Sequence, residues 1–389
     1  MIKKVKISNF RSIKSQEIEL SKINIIYGGT GTGKSSILYS LIVLSNFIKN
    51  PNQVVDGYFN LGFLNLGGFE ACVFNHEKNK EIGIGYSTEN GEYKLDFQKN
   101  EGRIKLKFNN FEMKGNIPIP YSIFKNFNYD YKQEYKINWN GFSSEVIPKE
   151  QTTQSQQSAT EIAEKLNSIP SAIDSIDIVP HRRGFFKFTY SPSKVSLIPT
   201  SEDEVASIII NDSNLPAKIS VDLEKIINRD FRIHTPPGTA MVYFKTTDKS
   251  TRTPMDLVND GFGVNQLVYM LAKVHRPEVK TILIEEPEIH LHPKVIRNLV
   301  KTIISIAKEE EKQFVIVTHS ELFVSSLLVR LVEKKLIPDD LKLYLAEKEG
   351  KETIFKEQKV NEKGQVEGGL ENFVSAELED LKILLDIRE

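Results

Sequence analysis

Apolar and polar positions alternate through the first two dozen residues, and then the pattern changes. "KKVKISNFRSI" and "SQEIELSKINIIYG" carry the period of two that predicts half-buried strands. The last apolar cluster, Ile23, Ile25 and Ile26, runs directly into glycines. Behind them "KSSILYSLIVLSNFIKN" sets Ile37, Leu38, Leu41, Val43 and Leu44 at helical spacing. The expected order is strand, tight loop, helix. From Asp56 to Met113, short alternating runs such as "EIGIGYS", "EYKLDF" and "RIKLKF" are broken by Gly and Asn and predict an antiparallel β layer. "QTTQSQQS" (Gln151–Ser158) is polar and aperiodic and reads as a mobile surface loop. Helices are expected at Thr160–Ser168, Ser201–Asn211 and Ala217–Asn228, separated by Pro170 and Pro216. No heptad pattern lasts three repeats, which argues against a coiled-coil arm, and no internal repeat is found.

From Asp256 the order becomes helix, buried strand, helix, buried strand. "TILI" (Thr281–Ile284) and "FVIV" (Phe314–Val317) are short and rich in β-branched residues, as central parallel strands are. "DLKLYLAEKEG" and "TIFKEQKV" predict a hairpin, and a last helix is expected at Ser375–Leu385. The fold class is therefore α/β: a mostly parallel central sheet, an antiparallel β layer and a helical insertion. Three stretches are expected: an N-terminal lobe 1–145, a partly helical insert 146–250 with its mobile loop near 151–158, and a C-terminal lobe 251–389.

Composition narrows the classes. Among 389 residues, 51 basic and 52 acidic side chains leave a net charge of -1, so no global positive field draws the chain to nucleic acid. Any DNA contact must come from a local patch or from dimerisation. The single cysteine, Cys72, excludes an intrachain disulfide and suits a reducing cytoplasm. "MIKKVKISNFRS" lacks the apolar run of a signal peptide, and Ile37–Ile48 is too short to span a bilayer. The expectation is a soluble cytoplasmic protein without a membrane partner.

The chemistry is concentrated in a few places. Gly28, Gly29, Thr30, Gly31, Thr32, Gly33, Lys34 and Ser35 fit G-x-x-x-x-G-K-[ST] within "YGGTGTGKSS", which continues to Ser36. Glycines let backbone N–H groups turn toward phosphate oxygens. Lys34 would reach the terminal phosphates, the Ser35 hydroxyl would ligate Mg²⁺, and the helix N-terminus adds its dipole. A chance match in a glycine-rich turn is the competing reading, and the strand before and helix after weigh against it. Glu285 and Glu286 end "TILI", where acids at the carboxyl end of a parallel strand face the ligand crevice. Glu285 would hold Mg²⁺ and Glu286 would polarise the attacking water; the alternative, a helix N-terminus after Pro287, fits Glu288 better than this pair. His290 and His292 lack the further ligands a zinc site needs. His319 directly follows "FVIVT" and is either a γ-phosphate sensor facing the same crevice or a satisfied core histidine. "NDGFGVNQLVYMLAKV" is a glycine-flanked turn opening a helix, able to bind an anion belonging to another subunit. "VPHRRGFFKFTY" mixes His181, Arg182, Arg183 and Lys187 with four aromatics, and remains open between a nucleic-acid surface, a phosphate-binding arginine and a solvated edge.

This order of motifs resembles the ABC-type P-loop ATPase heads of the RecF, SMC and OLD-like branch, in the form of a short stand-alone AAA-family ATPase without coiled coil or Toprim nuclease domain. The N-terminal strands and cradle, "LIEEPEIHLHP", "FVIVTHSELFV", "GFGVNQ", "PHRR" and the terminal hairpin carry the likeness, which is strong at both ends and weak over Lys114–Leu257. It implies ATP and Mg²⁺ as cofactors. It also implies a homodimer in which ATP on Lys34 and Ser35 of one head is closed by the turn containing Gly261, Gly263 and Gln266 of another. Glu286 and His319 take the water-activating and γ-phosphate-sensing roles. DNA repair, recombination or defence against mobile elements is the implied setting, with DNA and an effector protein as possible partners. Thr30 stands where the branch commonly has Asn, and Asn265 where Ser is frequent, which keeps open a low-turnover scaffold for a partner nuclease or other effector. A transporter ATPase subunit would carry an LSGGQ-like signature, absent here, and no paired-aspartate nuclease motif follows "LAEKEGKE".

Overall fold

The structure is a computed structural model and describes residues 1–239, 241–367 and 369. The expected helix at Ser375–Leu385 lies outside the described residues. The chain opens with β1 (Lys4–Phe10), β2 (Ile13–Glu19) and β3 (Ile23–Tyr27), then the helix α1 (Ser36–Lys49). The short α2 (Phe69–Cys72) leads to β4 (Ile82–Ser87), β5 (Gly91–Phe97), β6 (Glu101–Phe108) and β7 (Phe111–Pro118). Next come β8 (Phe127–Tyr131), β9 (Tyr135–Trp139), β10 (Ser144–Pro148), α3 (Thr153–Ser171) and β11 (Ile176–Val179). Helices α4 (Glu202–Asn211) and α5 (Leu215–Ile227) precede β12 (Arg229–His234), β13 (Tyr243–Asp248) and β14 (Thr253–Asp256). The last part runs α6 (Phe262–Val274), β15 (Thr281–Glu285), α7 (Pro293–Glu309), β16 (Gln313–Thr318) and α8 (Glu321–Val332). It ends with β17 (Leu341–Glu349) and β18 (Glu352–Glu357).

These elements form two compact units. The first comprises residues 1–20, 35–176 and 348–354; the second comprises 21–34, 177–347 and the described residues from 355. In the first unit an antiparallel sheet has the order β2-β1-β4-β5-β6-β7, and a second sheet the order β10-β9-β8. Alternation decides which side of each strand is buried: Gly102, Ile104, Leu106 and Phe108 of β6 are buried while Arg103 and Lys107 face solvent.

The second unit holds the sheet that positions the candidate site, in the order β11-β15-β16-β3-β17-β18. Strands β15, β16, β3 and β17 run parallel. Every residue of β3, β15 and β16 is buried, as both faces of a parallel sheet require. Glu285 pairs with Val317, Ile26 also pairs with Val317, and Tyr27 pairs with Thr318. One edge of the sheet therefore presents, side by side, the chain leaving β3, β15 and β16.

Three sequence expectations are corrected. The stretch expected as a mobile loop, Gln151–Ser158, instead contains the start of α3. Thr152 caps that helix: its Oγ1 accepts from the Ser155 N–H at 3.1 Å and the Ser155 Oγ accepts from the Thr152 N–H at 3.0 Å. The first turn is exposed, so no apolar period marks it. Likewise Asp56–His76 is not part of the β layer but short helical turns, broken by Gly62, Gly67 and Gly68 at positive φ. Pro216, expected as a separator, sits in the first turn of α5, where its missing N–H costs nothing.

Candidate nucleotide site

The glycine loop leaves β3 in conformations that side chains resist. Gly28 has φ 142°, and a Cβ there would come within 2.3 Å of the Ala346 carbonyl oxygen on β17. Gly31 and Gly33 also have positive φ, 79° and 89°. Lys34 is buried, and its ammonium donates to the carbonyls of Gly28 (2.9 Å) and Gly29 (2.6 Å). Burial pushes its pKa down to about 8, against the upward pull of Glu286 and Glu288. Thr32 closes the turn by donating to the Gly29 carbonyl at 2.9 Å. Ser35 is the residue preceding α1.

Glu285 ends β15 with only 3 % of its surface exposed. Its Oε2 lies 3.4 Å from both the backbone N and the Nδ1 of His181. A buried carboxylate at this position suits a cation. Glu286 follows at φ 45°, left-handed for a residue with a side chain, and its N–H donates to the Val317 carbonyl at 2.8 Å. Its Oε1 lies 3.4 Å from His319 Nε2. Burial first, and then Lys34, hold the His319 imidazole below its usual pKa, with Glu286 opposing. Lys34, Glu286 and His319 are thus brought into one electrostatic cluster at the end of the sheet.

Other polar groups in this cluster lacked a sequence signal of their function. Glu288 does not open a helix, because the next one, α7, begins at Pro293 with His292 as its cap. Instead its Oε1 accepts from Thr318 Oγ1 (2.7 Å) and from the His319 N–H (3.0 Å), fixing the turn that carries His319. Burial raises the Glu288 pKa above the usual carboxylate range, against those two donors. Arg183 is 4 % exposed and donates to the carbonyls of Glu285 (2.8 Å), Glu286 (2.9 Å) and Pro180 (3.0 Å). The segment left open by sequence accordingly divides: Arg183, Phe185 and Tyr190 are buried, Lys187 is paired with Asp203, and Arg182, Phe186 and Phe188 are exposed.

Gly261, with φ 24°, caps α6, and Gly263 is so close to the chain after β15 that a Cβ would sit 2.7 Å from the His290 carbonyl. Gln266 is buried, and its Oε1 has no protein partner. Asn265 accepts from the Phe185 N–H and donates to the Phe185 carbonyl, both at 2.6 Å. His292 Nδ1 accepts from the Lys294 N–H at 3.3 Å, and the His290 ring lies 5.6 Å from that of Phe262. No group of three His, Cys, Asp or Glu side chains able to hold a metal occurs among the described residues.

A family model described as "AAA ATPase domain" matches residues 1–324. The chain belongs to the AAA ATPase domain family. Among solved structures, the ATPase domain is similar to an SMC head bound to the C-winged helix domain of ScpA. That match has 13% identity and TM-score 0.50, covering 92% of this chain and 97% of the other. An SMC head domain from Thermotoga maritima matches at 11% identity and TM-score 0.43, covering 92% and 98% of the two chains. An SMC head with an extended coiled coil, bound to the C-terminal domain of ScpA derived from Pyrococcus furiosus, matches at 13% identity and TM-score 0.49, covering 100% and 99%. Such identities speak for the fold alone: the chain shares the fold of the first of these heads. No curated protein matches the chain. No helix among the described residues is long and apolar enough to cross a membrane.

Proposed function

We propose that this AAA ATPase binds Mg-ATP on the Gly28–Ser36 loop, hydrolyses it, and dimerises head to head around two nucleotides. One observation carries the reading: Lys34, Glu286 and His319 meet where β3, β15 and β16 end, with the Glu286 carboxylate 3.4 Å from His319 Nε2 and acting on the charge of both Lys34 and His319. Lys34 would leave the carbonyls of Gly28 and Gly29 for the terminal phosphates, and the loop's N–H groups would hold the remaining oxygens. Ser35 and Glu285 would hold Mg²⁺, which neutralises charge on the β- and γ-phosphates. Glu286 accepts the proton of the attacking water. His319, kept neutral by its surroundings, reports the γ-phosphate. Gly261, Gly263 and Gln266 of one protomer would cover the γ-phosphate held by the other. Dimer affinity then depends on whether that phosphate is intact, which makes the pair a timed switch.

The work of the switch is DNA repair, recombination or defence against mobile elements. The binding of the C-winged helix domain of ScpA by the fold neighbour at TM-score 0.50 supports an effector protein as a partner. A second reading, a low-turnover scaffold, is favoured by Asn265, whose amide is engaged on Phe185 rather than facing a ligand.

Size exclusion with light scattering tests the switch. Glu286→Gln with ATP is expected to run at twice the monomer mass, with turnover reduced at least about 100-fold. A variant that stays monomeric with ATP, or turns over like wild type, removes the basis of the reading.

A further inference from the structure

Arg183 occupies an unusual position for a guanidinium. Burying a cation costs several kcal/mol unless its donors are met, and here its nearest acceptors are three neutral carbonyls rather than a carboxylate. Burial pushes its pKa down to about 10, which leaves it charged at neutral pH, and Glu288, Glu285 and Glu286 all favour that charge. The Pro180 contact is local. The other two lie about a hundred residues away, on the peptide groups that carry the two acids ending β15.

Those contacts define where Glu286 points. Its backbone is left-handed, a conformation costing about 1–2 kcal/mol for an ordinary residue. Its N–H is held by the Val317 carbonyl and its C=O by Arg183 Nη2, so the peptide groups on both sides of the residue are fixed. The carboxylate is thereby aimed at His319. The two residues after Arg183 extend the connection. Gly184 has φ 139°, and a Cβ there would lie 2.9 Å from Asn265 Oδ1. Phe185 donates to and accepts from the Asn265 amide. Asn265 lies in the first turn of α6, four residues beyond Gly261. Three consecutive residues thus join the β15 end to the helix that opens with the glycine turn.

We propose that Arg183 is the positioning residue for Glu286, and that Arg183–Phe185 is a strut conveying the placement of the Gly261–Gln266 turn to that carboxylate. The proposal rests on Glu286 being the water-activating group, and it adds how closure over one site adjusts the hydrolytic group of the same chain. It also accounts for Asn265, whose amide carries acceptor and donor on two separate atoms and so meets the N–H and the C=O of Phe185 together.

The test compares Arg183→Gln, Arg183→Lys and Asn265→Ala with wild type in ATP turnover, in ATP affinity by titration calorimetry, and in amide hydrogen exchange. Positioning predicts that kcat falls at least tenfold in Arg183→Gln and less in Arg183→Lys, which keeps the positive charge and N–H donors on a single nitrogen, while the ATP Kd stays within twofold. Asn265→Ala should follow in the same direction. Peptides covering residues 281–290 should exchange at least tenfold faster in all three variants, with β16 and β3 unchanged. Unaltered kcat and exchange, or turnover and ATP affinity lost in parallel, overturn the proposal. Should Arg183→Gln not fold, Arg183→Lys carries the same readouts. A wild type without turnover would defeat the ATPase reading, whereas the exchange measurement would still decide the strut.

Discussion

Lys34 and Gly28 illustrate two ways one residue can govern the glycine loop after β3. The lysine contributes a charge that is held on the loop's own carbonyls, ready for exchange. The glycine contributes an absence, since any side chain would meet Ala346. Lys34→Ala is therefore expected to leave thermal stability nearly unchanged and abolish ATP binding in calorimetry. Gly28→Ala should lose both, the stability by roughly 2–4 kcal/mol from strain and overlap. A Gly28→Ala protein that melts and binds like wild type would show that the loop relaxes freely. The glycine loop was legible because its glycines, lysine and serine lie in one run behind an apolar strand. Arg183 and Glu288 were not, since their value lies in contacts with Glu285, Glu286, Thr318 and His319, which no local spacing announces.

At the scale of elements, strands were read well where burial alternates or is continuous, as in β6, β15 and β16. Helix α3 was misread because its beginning depends on reciprocal bonds between Thr152 and Ser155 rather than on apolar period. Three helices of the second unit meet in another cluster hidden from sequence. His275, after α6, bonds Asp222 of α5 through Nε2 (2.9 Å) and Glu310, after α7, through Nδ1 (2.8 Å). Burial opposes its charge, yet the two acceptors outweigh that, and its folded pKa is raised. Such a group contributes stability that is full below the unfolded pKa near 6.5 and is lost as pH rises through the folded pKa. Glu310, pulled down to about 2 by His275 and Lys312 despite burial, loses its contribution as pH falls through that value. Melting temperature should accordingly peak at mildly acidic pH and decline toward pH 9. His275→Gln should cost roughly 3 kcal/mol at pH 6 and flatten the alkaline slope. An equal slope in both proteins would assign the pH dependence elsewhere.

For the whole molecule, a net charge of -1 gives nucleic acid no long-range attraction, so the proposed DNA role depends on a local basic patch or on what pairing of heads creates. Shared sites can be examined by mixing inactive proteins. Lys34→Ala and Gly261→Asp should each lose turnover, and an equimolar mixture should recover about a quarter of wild-type activity, because about half of random pairs are mixed and each holds one intact site. No recovery at concentrations where wild type dimerises counts against sites built from two chains.

The contact between Gly28 and Ala346 bears on how this ATPase should be handled at the bench. The family match stops at residue 324, yet β17 begins at Leu341 and hydrogen-bonds along β3. A fragment trimmed to the matched region would keep the glycine loop, the strand-end acids and His319. It would also strip one flank of the strand that launches the phosphate loop, exposing a raw sheet edge prone to sticking. Expression boundaries are better drawn from strand order than from where recognisable similarity fades.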